Sequence, residues 1–265
     1  MPVFYRLLNG GEKYLNDTES LIAFAVVVLF AGLMILLSSK KIRVKFPPTF
    51  RNLSGVTRIR HAIGLAVEGG TRLHVSLGSG SLIDPSSPSG LVGLSTLNRF
   101  GQLTSTSDLP PLCTSGNGGF HLLSQDVLSQ NAVETNTRDM LDPNLAQMSG
   151  VTPFSYAMGV MDALDGSGTS ASVMVGNFGP EAGLICEGTK NIHAYSLAGS
   201  DSIIGQSVFM ALSDDTLIGE EMYALPAYLG YHAMHQSSLR VQDIARLIVV
   251  LLLVAGAVMK VTGLL

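Results

Sequence analysis

Residues 20–39 run for twenty positions without a charged side chain, and residues 21–37 within them are almost wholly aliphatic. At about 1.5 Å of rise per residue, twenty helical residues span about 30 Å, the thickness of a bilayer's hydrocarbon core. A water-exposed helix keeps a polar face, and this run has none. It therefore reads as a transmembrane helix, with a buried core helix as the competing reading. It is not a cleavable signal by pattern. The region ahead of it carries Glu12, Asp17 and Glu19 against Arg6 and Lys13, and no small-residue cleavage site follows.

A second largely apolar stretch lies at residues 247–265, with Lys260 its one charged residue. Its nineteen residues cover about 28 Å as a helix, and the Lys260 ammonium can snorkel toward the headgroups. A segment lying in the interface is the alternative. Between residues 38 and 67 stand Lys40, Lys41, Arg43, Lys45, Arg51, Arg58 and Arg60, with no Asp or Glu. The positive-inside rule then places residues 40–246 in the cytoplasm and both termini outside. The expected organisation is an extracytoplasmic stretch 1–19, a membrane helix 20–39 and a basic juxtamembrane segment 40–61. A cytoplasmic domain 62–236 follows, then a helix 237–265 that continues into the second membrane segment. The expected location is a bacterial cytoplasmic membrane, crossed twice. The basic segment has a second possible use, binding anionic headgroups. Cys113 and Cys186 are expected as reduced thiols.

Charge bears on partners. Only 14% of the 265 residues are charged, against about 25% in a typical soluble domain. Membrane segments explain part of this deficit. Residues 46–245 still hold only eight basic and seventeen acidic side chains. A surface so poor in charge is cheap to desolvate, so the expected partners are the lipid bilayer and either further copies of this chain or other membrane subunits. The net charge of -4 argues against nucleic acid. Gly32 and Ala255-Gly256-Ala257 would permit close helix approach in the membrane.

The middle reads as α/β. Residues 62–77 alternate apolar and small or polar side chains around Glu68-Gly69-Gly70-Thr71, which predicts a β-hairpin. Strands are expected at 110–114, 171–175 and 192–197. Helices are expected at 90–102, from Gly119 through Leu128, at 153–164, from Pro180 to about Glu187, from Ser200 to about Leu212, and at 217–229. Residues 135–152 are turn-rich. The fold class is therefore a mostly parallel sheet with flanking helices, lying in residues 108–230, with the hairpin at its edge.

Three predicted strands end in glycine-containing turns that lead into helices: Gly116-Asn117-Gly118-Gly119, Gly176-Asn177-Phe178-Gly179 and Gly199-Ser200. In an open parallel sheet such turns gather at the carboxyl edge, where ligands bind. Gly116, Asn117, Gly118, Gly119, Gly176, Asn177, Gly179, Gly199 and Ser200 are the candidate ligand residues, for a phosphate group or a nucleotide. Glycine also suits tight turns with no ligand. No P-loop occurs, and Gly78-Ser79-Gly80 has Ile83 where a dinucleotide fingerprint needs its third glycine. Glu181 and Asp201 at helix starts read as acid–base groups or as partners of the helix dipole. Cys113 reads as a nucleophile of a hydrolase or as a small core residue. Glu220, Glu221, His232 and His235 form no recognised metal motif. No cofactor and no catalytic residue is assigned.

Several segments together carry a resemblance. They are Gly64-Leu65-Ala66-Val67-Glu68-Gly69-Gly70, Leu73-His74-Val75-Ser76-Leu77-Gly78, Val175-Gly176-Asn177-Phe178-Gly179-Pro180-Glu181 and Leu217-Ile218-Gly219-Glu220-Glu221, with Ser238-Leu239 and Gln242-Asp243-Ile244 ahead of the terminal apolar stretch. Over about residues 60–260 the chain resembles an uncharacterised family of membrane proteins from Chloroflexi-type bacteria, a domain of unknown function. The resemblance implies the architecture and carries over no catalytic role. The leading expectation is an assembly or scaffold subunit that self-associates. The alternative is a membrane-tethered binder of a phosphorylated ligand.

Overall fold

The computed structural model describes residues 18–40, 51–107, 109–137, 142–230 and 233–261. Residues 1–17, expected outside the membrane, fall outside these ranges, as do Lys41, Arg43, Lys45 and His232. The chain divides into two units, residues 1–49 with 232–265, and residues 50–231.

The first unit contains α1 (Thr18–Ser38) and α9 (Ala233–Val261). Both are long and apolar enough to cross a membrane. Leu21, Phe24, Val27 and Leu29 of α1, and Leu251, Leu252 and Leu253 of α9, are exposed. A surface apolar on all sides for this length suits lipid rather than water. The two helices touch one another. α9 is one unbroken helix, and it starts at Ala233, ahead of the expected 237.

The second unit follows the order α2 (Ser54–Gly69), β1 (Arg72–Gly78), α3 (Ser87–Leu103), β2 (Leu112–Ser115), α4 (Gly118–Glu134), β3 (Ala146–Met148), α5 (Pro153–Leu164), β4 (Thr169–Asn177), α6 (Ala182–Asn191), β5 (Tyr195–Ser200), α7 (Ile203–Leu212), β6 (Asp215–Leu217) and α8 (Glu220–Tyr228). All six strands are parallel, in the spatial order β3-β2-β1-β4-β5-β6. The chain starts at the centre, works out to one edge, returns past β1 and works out to the other. Right-handed crossovers then put the helices of the two halves on opposite faces. On one face Leu73, Val75, Leu77, Val173 and Leu197 pack with Ile59 and Ile63 of α2, Leu97 and Phe100 of α3, Phe120 of α4 and Leu225 of α8. On the other, Met174 and Ala198 pack with Tyr156 and Val160 of α5, Ile185 of α6 and Phe209 of α7.

The predicted edge hairpin does not form. Its first arm is α2, whose buried positions Val56, Ile59, Ile63 and Ala66 follow helical spacing while Leu65 is 54% exposed. Gly70, at φ +60°, closes the helix with its N–H on the Ala66 carbonyl; the glycine pair is a helix cap, not a hairpin turn. The second arm is β1, the centre of the sheet. Its alternation marks two buried faces of different polarity. His74 and Ser76 point away from Leu73, Val75 and Leu77, and are fully buried. The His74 ring bonds the Ser172 hydroxyl at 2.8 Å and the Thr114 hydroxyl at 2.9 Å, which satisfies the polar row without water.

Two further expectations are corrected. Residues 215–217 form β6, so the helix expected at 217–229 is α8 and starts at Glu220 rather than Leu217. β3, at residues 146–148, lies in the stretch read only as turn-rich.

Candidate functional site at the carboxyl edge

The strand order reverses between β1 and β4, and open parallel sheets place their ligands outside the carboxyl ends at such a reversal. Here the two ends lie very close. Gly78 has φ +79°, and a Cβ on it would sit 2.3 Å from the Asn177 carbonyl oxygen. The Ser79 N–H donates to that oxygen at 3.0 Å, and the Gly116 N–H donates to the Gly78 carbonyl at 2.9 Å. The Tyr156 hydroxyl, buried below, accepts from the Gly78 N–H at 3.1 Å. β1, β2 and β4 are thus tied together at one point, where only glycine fits.

Two carboxylates occupy this edge. Asp201 follows β5 and accepts from the Asn177 amide at 2.8 Å and the Ser89 hydroxyl at 3.1 Å, so it bridges β4 to α3 across the reversal. Glu181 is buried and accepts from the Gly179 N–H at 2.8 Å. Both complement the positive ends of helices that start here. Both also disfavour a phosphate in the same space.

The predicted ligand residues divide. Gly116 and Asn117 follow β2, with the Asn117 side chain capping α4 through the Gly119 N–H at 2.9 Å. Gly118 faces open space, whereas a Cβ on Gly119 would strike Leu82. Gly176 and Asn177 are the last residues of β4 rather than part of a loop. Gly179 opens toward α6. Ser200 ends β5 and accepts from the Phe178 N–H at 3.1 Å. Gly199 lies within β5, and its Cβ position meets Met222 and Leu217 in the core, so it does not belong to the edge. The β1 end, Gly78–Gly80, is the part that sequence reading left out. It failed there because β1 was placed at the sheet's margin.

Cys113 sits wholly in the core, and burial pushes its thiol up to about 12. That places the nucleophile reading against a thiol held protonated at neutral pH. Cys186 is also buried and pushed up to about 12, burial again being the main cause. Among the described residues, no three His, Cys, Asp or Glu side chains come together as a metal site.

Three of the basic juxtamembrane residues have internal uses. Arg51 pairs with Glu221, Arg58 with Asp215 at 3.1 Å, and Arg60 donates to the Tyr228 carbonyl. Arg58 and Arg60 tie α2, and Arg51 the residues just ahead of it, to β6 and α8, the start of the unit to its end.

A family model for a domain of unknown function, DUF6754, matches residues 12–264. The chain belongs to the DUF6754 family. The match covers nearly the whole chain, including both apolar helices, so the DUF6754 domain comprises the membrane-compatible helices and the α/β unit together. Searches of the curated proteins and of the solved structures find no match.

Proposed function

We propose that this DUF6754 protein is a membrane-anchored assembly module whose α/β unit lies in the cytoplasm and pairs with further copies of itself. The observation that carries this reading is the outer face of α5, α6 and α7. α7 has no charged residue, yet Ile203, Ile204 and Met210 on it are 82%, 59% and 68% exposed. Phe154 and Met158 of α5 and Leu184 of α6 are also exposed. The charges of this layer, Asp162, Glu187 and Lys190, stand in the second halves of α5 and α6. Apolar surface of this extent on a charge-poor domain marks an interaction face. Neutral faces also let identical copies meet without repulsion. The seven basic residues that follow the first membrane helix support the cytoplasmic orientation.

Light scattering of the full chain in neutral detergent tests this. The expected mass is a dimer or larger, reduced to monomer by Ile203→Lys with Met210→Lys while circular dichroism is unchanged. A monomeric wild type contradicts it.

The strand order favours a second reading, a ligand at the β1–β4 reversal. Asp201 and Glu181 make a hydroxyl-bearing or cationic group a better fit there than a phosphate. A thermal shift with a nucleoside, lost in Asn177→Ala, supports that reading. No shift across nucleosides, nucleotides and polyamines counts against it.

A further inference from the structure

We infer a binding site for an anionic amphiphile at the opposite end of the sheet from the carboxyl edge. The C-terminal parts of α2 and α3 and the end of α8 enclose an open groove of about 600 Å³, within the size range of small-molecule sites. Its apolar lining comes from Ile63, Val67, Leu103 and Leu229. Two guanidiniums stand in it. Arg60 donates to the Tyr228 carbonyl, and Arg99 donates to the Leu229 carbonyl at 3.1 Å and to the Gln102 amide oxygen at 3.2 Å. Arg51 and Arg58 have carboxylate partners. Among the described residues, Arg60 and Arg99 have none.

Each guanidinium carries five N–H donors, so the carbonyl contacts leave donors over for an oxyanion. Glu68 is the one acidic residue of the lining. It lies two turns beyond Arg60 on α2, at the other end of the groove. The wall between them is Gly64, where a Cβ would meet nothing within 4 Å. A glycine inside a helix is destabilising relative to alanine, and packing does not require it here. Its effect is to keep the groove open. The chemistry that fits is one phosphate or carboxylate head between Arg60 and Arg99, with an apolar chain along Ile63, Val67 and Leu103. A membrane lipid and a soluble amphiphile share this chemistry.

The arginines also cap α8, so the test needs a variant that leaves the cap alone. Gly64→Leu fills the groove and leaves both guanidiniums in the chain. Native mass spectrometry of the full chain in neutral detergent reads octyl phosphate binding. One molecule is expected on the wild type, at least tenfold weaker on Gly64→Leu and on Arg60→Gln/Arg99→Gln, with inorganic phosphate at least tenfold weaker than octyl phosphate. Thermal unfolding identifies the folded variants, and the arginine pair carries the test if Gly64→Leu does not fold. A second arm uses phosphatidylcholine nanodiscs containing a minor fraction of phosphatidylglycerol. Retained phosphatidylglycerol assigns the membrane as source, and octyl phosphate alone assigns a soluble amphiphile. No binding to the wild type, undiminished binding to a folded variant, or equal affinity for inorganic phosphate overturns the site.

Discussion

His74 shows how a single residue misleads and then informs. In the sequence it reads as part of the second face of an edge hairpin's arm, opposite Leu73, Val75 and Leu77. In the fold it is wholly buried, between Ser172 and Thr114. Burial lowers its pKa to about 3 from 6.5, so it is neutral in the native state. The unfolded chain takes up a proton below about 6.5 and the native chain does not. Stability therefore falls as pH drops from 6.5 toward 3, by about 1.4 kcal/mol per unit from this group alone. Above 6.5 the group contributes no slope. Denaturant titrations of the solubilised protein between pH 4 and pH 6 check this. His74→Gln is expected to remove that part of the slope, and an unchanged slope would mean that His74 titrates normally. Asp201 was legible as a charged group at a helix start. Its bridge to Ser89 was not, because the two residues, 112 positions apart, meet only through the strand order.

At the scale of elements, local pattern served best where one helix face was buried. Proline at a helix start and apolar spacing placed α5 at 153–164, its observed bounds, and the spacing of Leu94, Leu97 and Phe100 placed most of α3. It failed for α2 and β1, where a capping glycine pair imitates a turn and a polar row satisfied by internal hydrogen bonds gives β1 the alternation of a hairpin arm. The candidate site was half legible. Glycines followed by helices were visible, but which of them sit inside strands depends on neighbours from other strands. Gly176 is the sharpest case. A Cβ there would lie 2.0 Å from the Leu77 carbonyl oxygen, so the β1–β4 pairing needs glycine at that register. Gly176→Ala is expected to cost about 3 kcal/mol by forcing the two central strands apart. Gly118→Ala, facing open space, stays within about 0.5 kcal/mol of wild type. Thermal unfolding of the two variants side by side reads the contrast. Equal effects would mean that the strands do not meet at this register.

For the whole molecule, low charge and two membrane-compatible helices were legible from composition and run length alone. What composition did not show was where the charge-poor surface lies, since that depends on which helices share a face. In the structure α7 is the flanking helix with no charged residue, and the exposed Ile203, Ile204 and Met210 lie on it. It also changes how orientation can be measured. Cys113 and Cys186 are buried, so the natural thiols report poorly on sidedness. Ser207 is exposed in the middle of α7, and Ser207→Cys supplies a reporter. A membrane-impermeant thiol reagent is expected to leave it unlabelled in intact cells and to label it after permeabilisation. Labelling in intact cells would place the α/β unit outside. The same variant tests the central claim most directly. A short thiol cross-linker applied to isolated membranes is expected to convert Ser207→Cys to a covalent dimer, while Gln130→Cys, on the opposite face of the sheet, stays monomeric. A monomer at both positions, or equal dimer at both, would contradict self-association through the α5–α7 face.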